Sequence, residues 1–130
     1  MAVTTYNAKD ISVLINGVNI TGLGETMISC EKDEEFFSTS VGAQGDIVKS
    51  VTNNTLGTIT ITINYTCPQR SMIINLARSN AEFPIWLNSP NETVGGSKAS
   101  IKNFPSIEYE AEAPEMEFEI QVFDYDVIPK

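Results

Sequence analysis

Strict alternation of apolar and polar residues in two separate segments constrains the fold of this chain more than any other feature. From Thr58 to Tyr65, isoleucines and finally the tyrosine occupy every second position, with threonine or asparagine between them. The same period begins at Glu115, and that segment is predicted to run to about Val127. A period of two places the apolar side chains on one face of a strand. Both segments are therefore predicted strands with one face in a core.

Further strand signals surround these two segments. Asn16-Gly17 joins apolar runs at 11–15 and 18–20 and predicts a hairpin with a type I′ turn, because both residues tolerate positive φ. We also predict a turn at 89–91 and a loop at 94–97. The remaining predicted strands cover residues 27–32, 83–87, 98–104 and 107–111.

One short helix is predicted within this β pattern. Pro68 suits a first helical position, where its missing N–H costs nothing. From Gln69 to Ser79 apolar residues recur at helical spacing, and Asn80 is the predicted stop. The apolar face consists of Met72, Ile73, Leu76 and Ala77. The residues thus predict a mainly β domain whose single helix covers one side of a sheet.

The segment from Asp33 to Asn54 fits neither pattern. It shows little alternation and has a glycine-rich centre at 41–46. Ordering a residue's backbone costs roughly 1–2 kcal/mol, and loops of this length are usually functional or disordered. We expect residues 34–54 to form an arm that a neighbouring subunit orders, with Phe36 and Phe37 as apolar anchors. A flexible hairpin without a partner is the alternative.

The residue types argue against catalysis and metal binding. Histidine is absent, which removes the commonest general base and metal ligand. The chain has two cysteines, Cys30 and Cys67, too few for a zinc site without histidine, and we expect both to be reduced and buried. No glycine-rich phosphate loop occurs. We predict no cofactor and no metal.

Carboxylates are the remaining candidates for chemistry. Glu115, Glu117 and Glu119 share one side of a predicted strand, and paired carboxyls serve glycosidases. Acids near Asp33 and Asp124 suggest calcium, but the spacing of a calcium loop is missing. A row of acids on an alternating strand is usually a solvated face. We therefore predict that the protein is not an enzyme.

Length and charge exclude further classes. The 130 residues, 42% of them hydrophobic, suit one domain with its own core. The net charge of −9 opposes binding to nucleic-acid phosphates. No apolar run approaches the ~18 residues of a membrane helix. The first six residues lack a basic segment followed by an apolar one, so we expect no signal peptide.

Three features, in this order, resemble the tail-tube proteins of contractile-tailed phages, and more distantly the tube subunits of type VI secretion systems and R-type pyocins. The first is the opening from Tyr6 through the Asn16-Gly17 hairpin to Gly22. The second is the small-residue tip beginning at Gly42, which leads through a polar turn into a Thr/Ile strand. The third is that strand followed by the helix at Pro68 and by Phe83-Pro84-Ile85-Trp86. The match spans nearly the whole chain.

The resemblance implies a single domain over residues 1–130 with the tail-tube fold, a small antiparallel β-barrel or sandwich with one flanking helix and an extended arm. In that family six subunits form a ring, and rings stack into a hollow tube that conducts DNA into the host. The chain would then be a virion tail protein made in the host cytoplasm. Its implied partners are copies of itself, tail sheath and baseplate proteins, and DNA that passes without specific binding. Membrane insertion is not expected.

The resemblance also assigns roles to residues of this chain. The arm would reach the adjacent ring, and sheet edges would join neighbours within a ring. The arm contacts would involve Phe36, Phe37, Val41, Gly42, Gln44, Gly45, Asp46, Ile47 and Val48. The polar strand faces become candidates for the tube lumen, where acids would repel DNA phosphates over ~8 Å at physiological salt. Those lumen candidates are Thr58, Thr60, Thr62, Asn64, Glu115, Glu117 and Glu119.

Two alternatives remain open at this point. A carbohydrate-binding or adhesin-like β-sandwich would carry exposed aromatic residues, whereas Trp86 lies in a predicted core strand between Phe83 and Leu87. A different virion part with the same fold, such as a tube-terminating or head-joining protein, is the other alternative.

Overall fold

A computed structural model describes Val3 and residues 5–130. Met1, Ala2 and Thr4, part of the stretch for which no signal peptide is expected, lie outside the described residues. No helix of the described part is long and apolar enough to cross a membrane. In chain order the elements are a 3₁₀ helix Ala8–Asp10, β1 (Ser12–Ile15), β2 (Val18–Asn19), β3 (Leu23–Lys32), β4 (Phe37–Val41), β5 (Ile47–Val51), β6 (Gly57–Asn64), α1 (Arg70–Ser79), β7 (Phe83–Asn88), β8 (Glu92–Ile101), β9 (Glu115–Val122) and β10 (Asp126–Pro129).

Most strands belong to one antiparallel sheet. Its order is β2-β1-β7-β8-β9-β6-β3, and β10 pairs with β8 beside this path. The sheet curls into a half-barrel, which confirms the predicted small β-barrel or sandwich with one helix. Strands β4 and β5 form a separate two-stranded sheet.

The two alternating segments form the centre of the core. β6 and β9 pair along their whole length, with Ile59 opposite Ile120 and Ile61 opposite Phe118. All four of these side chains are fully buried. Burying a side chain of this size contributes roughly 1.5–3 kcal/mol. The alternation therefore predicted both the strands and the face that each one buries.

Tyr65 does not join this buried face. β6 ends at Asn64, and Tyr65 lies beyond it with 45% of its surface exposed. Its ring contacts the guanidinium of Arg70 at 5.1 Å. The prediction that the alternation extends to Tyr65 is wrong by one residue, because the chain turns there toward α1.

The predicted β1–β2 hairpin is confirmed, and so is the end of the helix. Asn16 and Gly17 have φ values of 53° and 79°, as a type I′ turn requires. Asn80 caps α1 in the left-handed conformation. The helix begins at Arg70 and not at Pro68, because the cap position belongs to Gln69, whose Oε1 accepts hydrogen bonds from the backbone and hydroxyl of Thr21.

Residues 94–97 are not a loop, contrary to prediction. β8 runs through them, and its register with β7 shifts between Phe83 and Ile85. Gly95 has φ 143°, and a Cβ there would lie 2.1 Å from the carbonyl oxygen of Ile85. The glycine pair therefore marks a close approach of two backbones and not a turn.

Several other predicted boundaries also change. β3 begins earlier, at Leu23, because an irregularity in its pairing with β6 absorbs the extra residues. β8 ends at Ile101, and residues 107–111 form no strand although apolar and acidic residues alternate there, since no neighbour pairs with them. β9 ends at Val122, and the chain turns before β10. Trp86 is half-buried on the outer face of β7 and is not in the core.

Candidate assembly surfaces

The arm is a regular β-hairpin. β4 and β5 pair with each other from Phe37–Val51 at the base to Val41–Ile47 at the tip. The tip is closed by hydrogen bonds from Gly42 N to Asp46 O (2.8 Å) and from Gly45 N to Gly42 O (2.9 Å). Every residue of both strands is exposed. The sequence did not indicate a regular hairpin, because its apolar residues align on one face only when β4 is paired with β5.

Pairing gives the hairpin two different faces. Residues opposite each other, and residues two apart, share a face. The face that we term the apolar arm face consists of Phe37, Thr39, Val41, Ile47, Lys49 and Val51. The other face consists of Ser38, Ser40, Val48 and Ser50. Val41, Ile47 and Val51 are about 70% exposed (69%, 72% and 68%), so the described residues give these three side chains little cover.

The base of the arm is fixed by Lys32 at the end of β3. Its ammonium donates to the carbonyl oxygens of Glu34 (2.8 Å) and Asn54 (3.0 Å), which are the two ends of the arm. The same ammonium lies 5.1 Å from the ring centre of Phe36. One side chain thus closes the arm at its root and holds Phe36 beside it.

Asp33 connects this root to the core sheet. Its carboxylate accepts hydrogen bonds from Thr58 Oγ1 (2.7 Å) and Gln121 Nε2 (3.0 Å), and Gln121 also donates to Gly57 O (2.8 Å). The hydrogen bonds from Gln121 and Thr58 hold the pKa of Asp33 below its usual range. The hairpin therefore projects from a hydrogen-bonded base and not from a loose linker.

Low pH is expected to weaken the hydrogen bonds that Asp33 makes at the root of the arm. Because the pKa of Asp33 is lowered on folding, its contribution to stability is present above the ordinary carboxyl value of about 3.9 and disappears as pH falls through the lower folded value. The Tm difference between wild type and Asp33→Asn should be largest near neutral pH and shrink toward pH 2. Asp46→Asn, at the arm tip, controls for the loss of one charge. A Tm difference that does not change with pH would contradict this assignment.

The seven residues proposed for a lumen lie together. In the register of β6 and β9, Thr60 is opposite Glu119, Thr62 opposite Glu117, and Asn64 opposite Glu115, with Thr58 next in line. The β6 side chains are half-buried and the glutamates are exposed. The sheet therefore presents one continuous polar face. That this face borders a lumen stays a prediction.

This polar face is deepened by a loop, residues 103–114, that is not among the lumen candidates predicted from the sequence. Residues 103–114 border an open groove of about 810 Å³ in front of Thr60 and Thr62. Among the described side chains, this groove, which we term the acidic groove, gathers six carboxylates, those of Glu108, Glu110, Glu112, Glu115, Glu117 and Glu119. The signal was present in the sequence, because residues 103–129 hold eight acids and no base. Such a surface focuses a strong negative potential.

A second groove lies where the half-barrel is open. Its volume is about 440 Å³, and among the side chains that the structure describes Glu92 is the one charged residue that lines it. Among the described strands β3 pairs with β6 alone, so the other edge of β3 is free beside this groove. Most of its lining is apolar, contributed by Tyr6, Ala8, Ile11, Met27, Ile28, Cys30, Leu87 and Val94. We term it the apolar groove.

The cysteines have structural surroundings. Burial, with a smaller effect of Glu92, raises the pKa of Cys30 to about 11, so its thiol stays protonated and unreactive near neutral pH. Cys67 is buried and its thiol donates to Thr21 O. Both are free, but Cys30 is only half-buried, which corrects the expectation for that residue. Within the described ranges, no group of three acidic or cysteine side chains could hold a metal.

Comparisons with known proteins place the fold. No protein-family model matches the chain, and no curated protein matches it. Among solved structures it is similar to a chain of the sheath/tube terminator of an extracellular contractile injection system (PVC), with 12% identity, a TM-score of 0.71, and coverage of 98% of this chain and 99% of that one. It is also similar to the tube-terminating cap of the anti-feeding prophage, with 12% identity, a TM-score of 0.68 and coverage of 100% and 95%.

A third similar structure is the PVC sheath–tube complex in its extended state. It shows 12% identity, a TM-score of 0.68, and coverage of 97% of this chain and 93% of that one. At such identities the likeness establishes the fold alone. It does so over nearly the full length of each chain, including the region of the arm.

Proposed function

We propose that this chain is a non-enzymatic structural subunit of a phage-type tail, and that it forms the ring that terminates the tail tube. The observation that carries the proposal is the match of the whole fold to two chains from assemblies described as a tube terminator and a tube-terminating cap. Because the match leaves almost no part of either chain uncovered, one complete domain is shared and not a common β motif.

The sheet supplies the means of closing a ring. Among the described strands, β3 and β2 stand at the two ends of the strand order, and each leaves one edge unpaired. Exposed edges tend to pair with other chains. When one edge of a copy pairs with the opposite edge of the next copy, the contact is head-to-tail. Such contacts close into a ring when a whole number of copies completes one full turn. We propose six copies, as in the tail-tube family.

The acidic groove suits the inner wall of such a ring. Six glutamates from each copy would converge around the axis. DNA phosphates near that wall would be repelled, and the repulsion would fall off over ~8 Å at physiological salt. DNA would then pass through the ring without binding to it, while sheath, baseplate or head-joining proteins contact the outside and the ends.

A repeating tube subunit is the second candidate. The likeness to a chain of a sheath–tube complex and the projecting arm favour it. The two candidates differ in one property, since rings of a tube subunit stack on one another and rings of a terminator stack only on a tube end.

Negative-stain microscopy of the purified protein tests the proposal. A terminator is expected to give single rings with a central hole that attach to the ends of preformed tubes. A tube subunit would give long hollow polymers, which would replace the first candidate by the second. A protein that stays monomeric at high concentration in several salts would contradict both.

Ring formation is expected to increase with salt, because the acidic grooves of neighbouring copies repel one another. Raising the salt from 0.15 M to 1 M shortens the screening length from about 8 Å to about 3 Å. Glu108→Gln/Glu110→Gln should form rings at lower salt than wild type, and Asp10→Asn/Glu82→Gln, which removes two charges elsewhere, should not. Sedimentation velocity measures both. Equal salt requirements for the two variants would contradict the inward placement of the groove.

A further inference from the structure

We propose that the apolar arm face docks into the apolar groove of a second copy of this chain, with Lys49 of the arm facing Glu92 of the groove. This inference rests on the proposed function only for the self-assembly of the chain. It adds the two surfaces that meet and the charge pair that selects them.

The arm requires a cover. An isolated two-stranded hairpin is marginally stable in water, and it becomes stable when one face packs on something else. Here four large apolar side chains, Phe37, Val41, Ile47 and Val51, share one face and are exposed by 44% to 72%. The opposite face carries three serines and Val48, so it has little to gain from burial. Of the two faces of the hairpin, the apolar arm face is therefore the one that burial against a partner would stabilise.

Charge points to a second copy as that partner. Residues 36–54 contain one acid, Asp46, and one base, Lys49, so this segment is neutral while the chain as a whole carries −9. Two copies repel each other over most of their surfaces. The arm is where their approach is least opposed. Lys49 lies in the middle of the apolar arm face, with its ammonium 4.5 Å from the ring of Phe37.

The apolar groove matches the arm in chemistry. It is lined mostly by apolar side chains, and the one charged residue among its described lining side chains, Glu92, is opposite in sign to Lys49. Docking in the acidic groove would instead place the apolar arm face against six glutamates, which gain nothing from apolar contact.

Two neighbouring residues of β5 provide a matched test. Ile47 and Val48 are both β-branched and exposed (72% and 57%), but they lie on opposite faces of the hairpin. Ile47→Asp should weaken self-association on the order of tenfold or more, the loss expected when an apolar anchor is removed from an interface. Val48→Asp should stay within about threefold of wild type. Both should keep the wild-type circular dichroism spectrum and Tm, because neither residue belongs to the core.

Charge reversal identifies the groove. Lys49→Glu and Glu92→Lys should each weaken association, and the double variant should recover most of it. An equimolar mixture of the two single variants should also associate better than either alone, because the Lys49 arm of one then meets the Glu92 groove of the other. Sedimentation velocity measures all five samples, including wild type.

The outcomes separate this inference from the proposed function. Equal losses for Ile47→Asp and Val48→Asp, or no recovery in the double variant, would overturn the docking while wild type still assembles. Recovery in the double variant without any in the mixture would place the arm in the groove of its own chain, which also overturns it. Failure of wild-type protein to assemble would count against the proposed function.

Discussion

Deleting residues 41–48 should abolish assembly and leave the domain folded. The deletion removes the tip of the arm and two anchors of the apolar arm face, Val41 and Ile47, and no residue within it is buried. The root contacts of Lys32 and Asp33 lie outside it. In the described part of the chain β4 and β5 pair only with each other, so the deletion removes no strand neighbour from the main sheet. Circular dichroism and thermal unfolding should match wild type within a few degrees, while microscopy shows no particles.

A control on the other face of the arm completes this test. Ser38→Ala/Ser40→Ala changes the polar face and should preserve assembly. If the deletion variant is unfolded, the arm belongs to the folding core and its role as a projecting contact is wrong. If the deletion variant is folded and still assembles, ring contacts do not involve the arm.

The second large effect concerns Gly95, where alanine should destabilise the domain by about 3–5 kcal/mol. Its φ of 143° disfavours any side chain, and the added Cβ would lie 2.1 Å from the carbonyl oxygen of Ile85. Backbone strain and overpacking each cost roughly 1–3 kcal/mol. That is a large part of the stability of a domain of this size. Urea unfolding measures the change as a shift of the midpoint.

Gly17 provides the control that separates strain from collision. It also has positive φ (79°), but a Cβ there meets no atom within 4 Å. Gly17→Ala should therefore cost only the conformational penalty, roughly 1–2 kcal/mol. Equal costs at both positions would show that the approach of β7 and β8 is looser than the structure indicates.

Local signals predicted the parts of the fold that local chemistry decides. Alternation identified β6 and β9 with their buried faces, because a period of two leaves one register for a half-buried strand. Asn16-Gly17 identified the first hairpin, and Asn80 the end of the helix, because both depend on the conformation of one or two residues.

Long-range partners decided the parts that were wrong. Gly95-Gly96 has the composition of a loop, and only the approach of Ile85 from β7 explains why glycines are needed inside a strand. Residues 107–111 alternate like a strand but find no neighbour to pair with. The arm contains matched strands, yet pairing Val41 with Ile47 is what reveals their common face.

The candidate surfaces follow the same division. The polar face of β6 and β9 was predictable because it is the reverse of the buried face. The acidic groove was missed because residues 103–114 lie in front of the sheet without forming a strand of it, and no local pattern indicates where such a loop lies. The apolar groove combines residues from Tyr6 to Val94, so no single segment could indicate it. The roles of all three surfaces depend on a second chain and stay predictions.

The mass of the particle in solution tests the central claim most directly. Native mass spectrometry of wild-type protein, over a range of concentrations and after exchange from low and high salt, counts the copies in each species. We predict one closed particle of six copies that forms above a threshold concentration and more readily from high salt. A monomer under every condition, or a continuous series of small oligomers without a closed species, would contradict the claim that this chain acts by forming a ring.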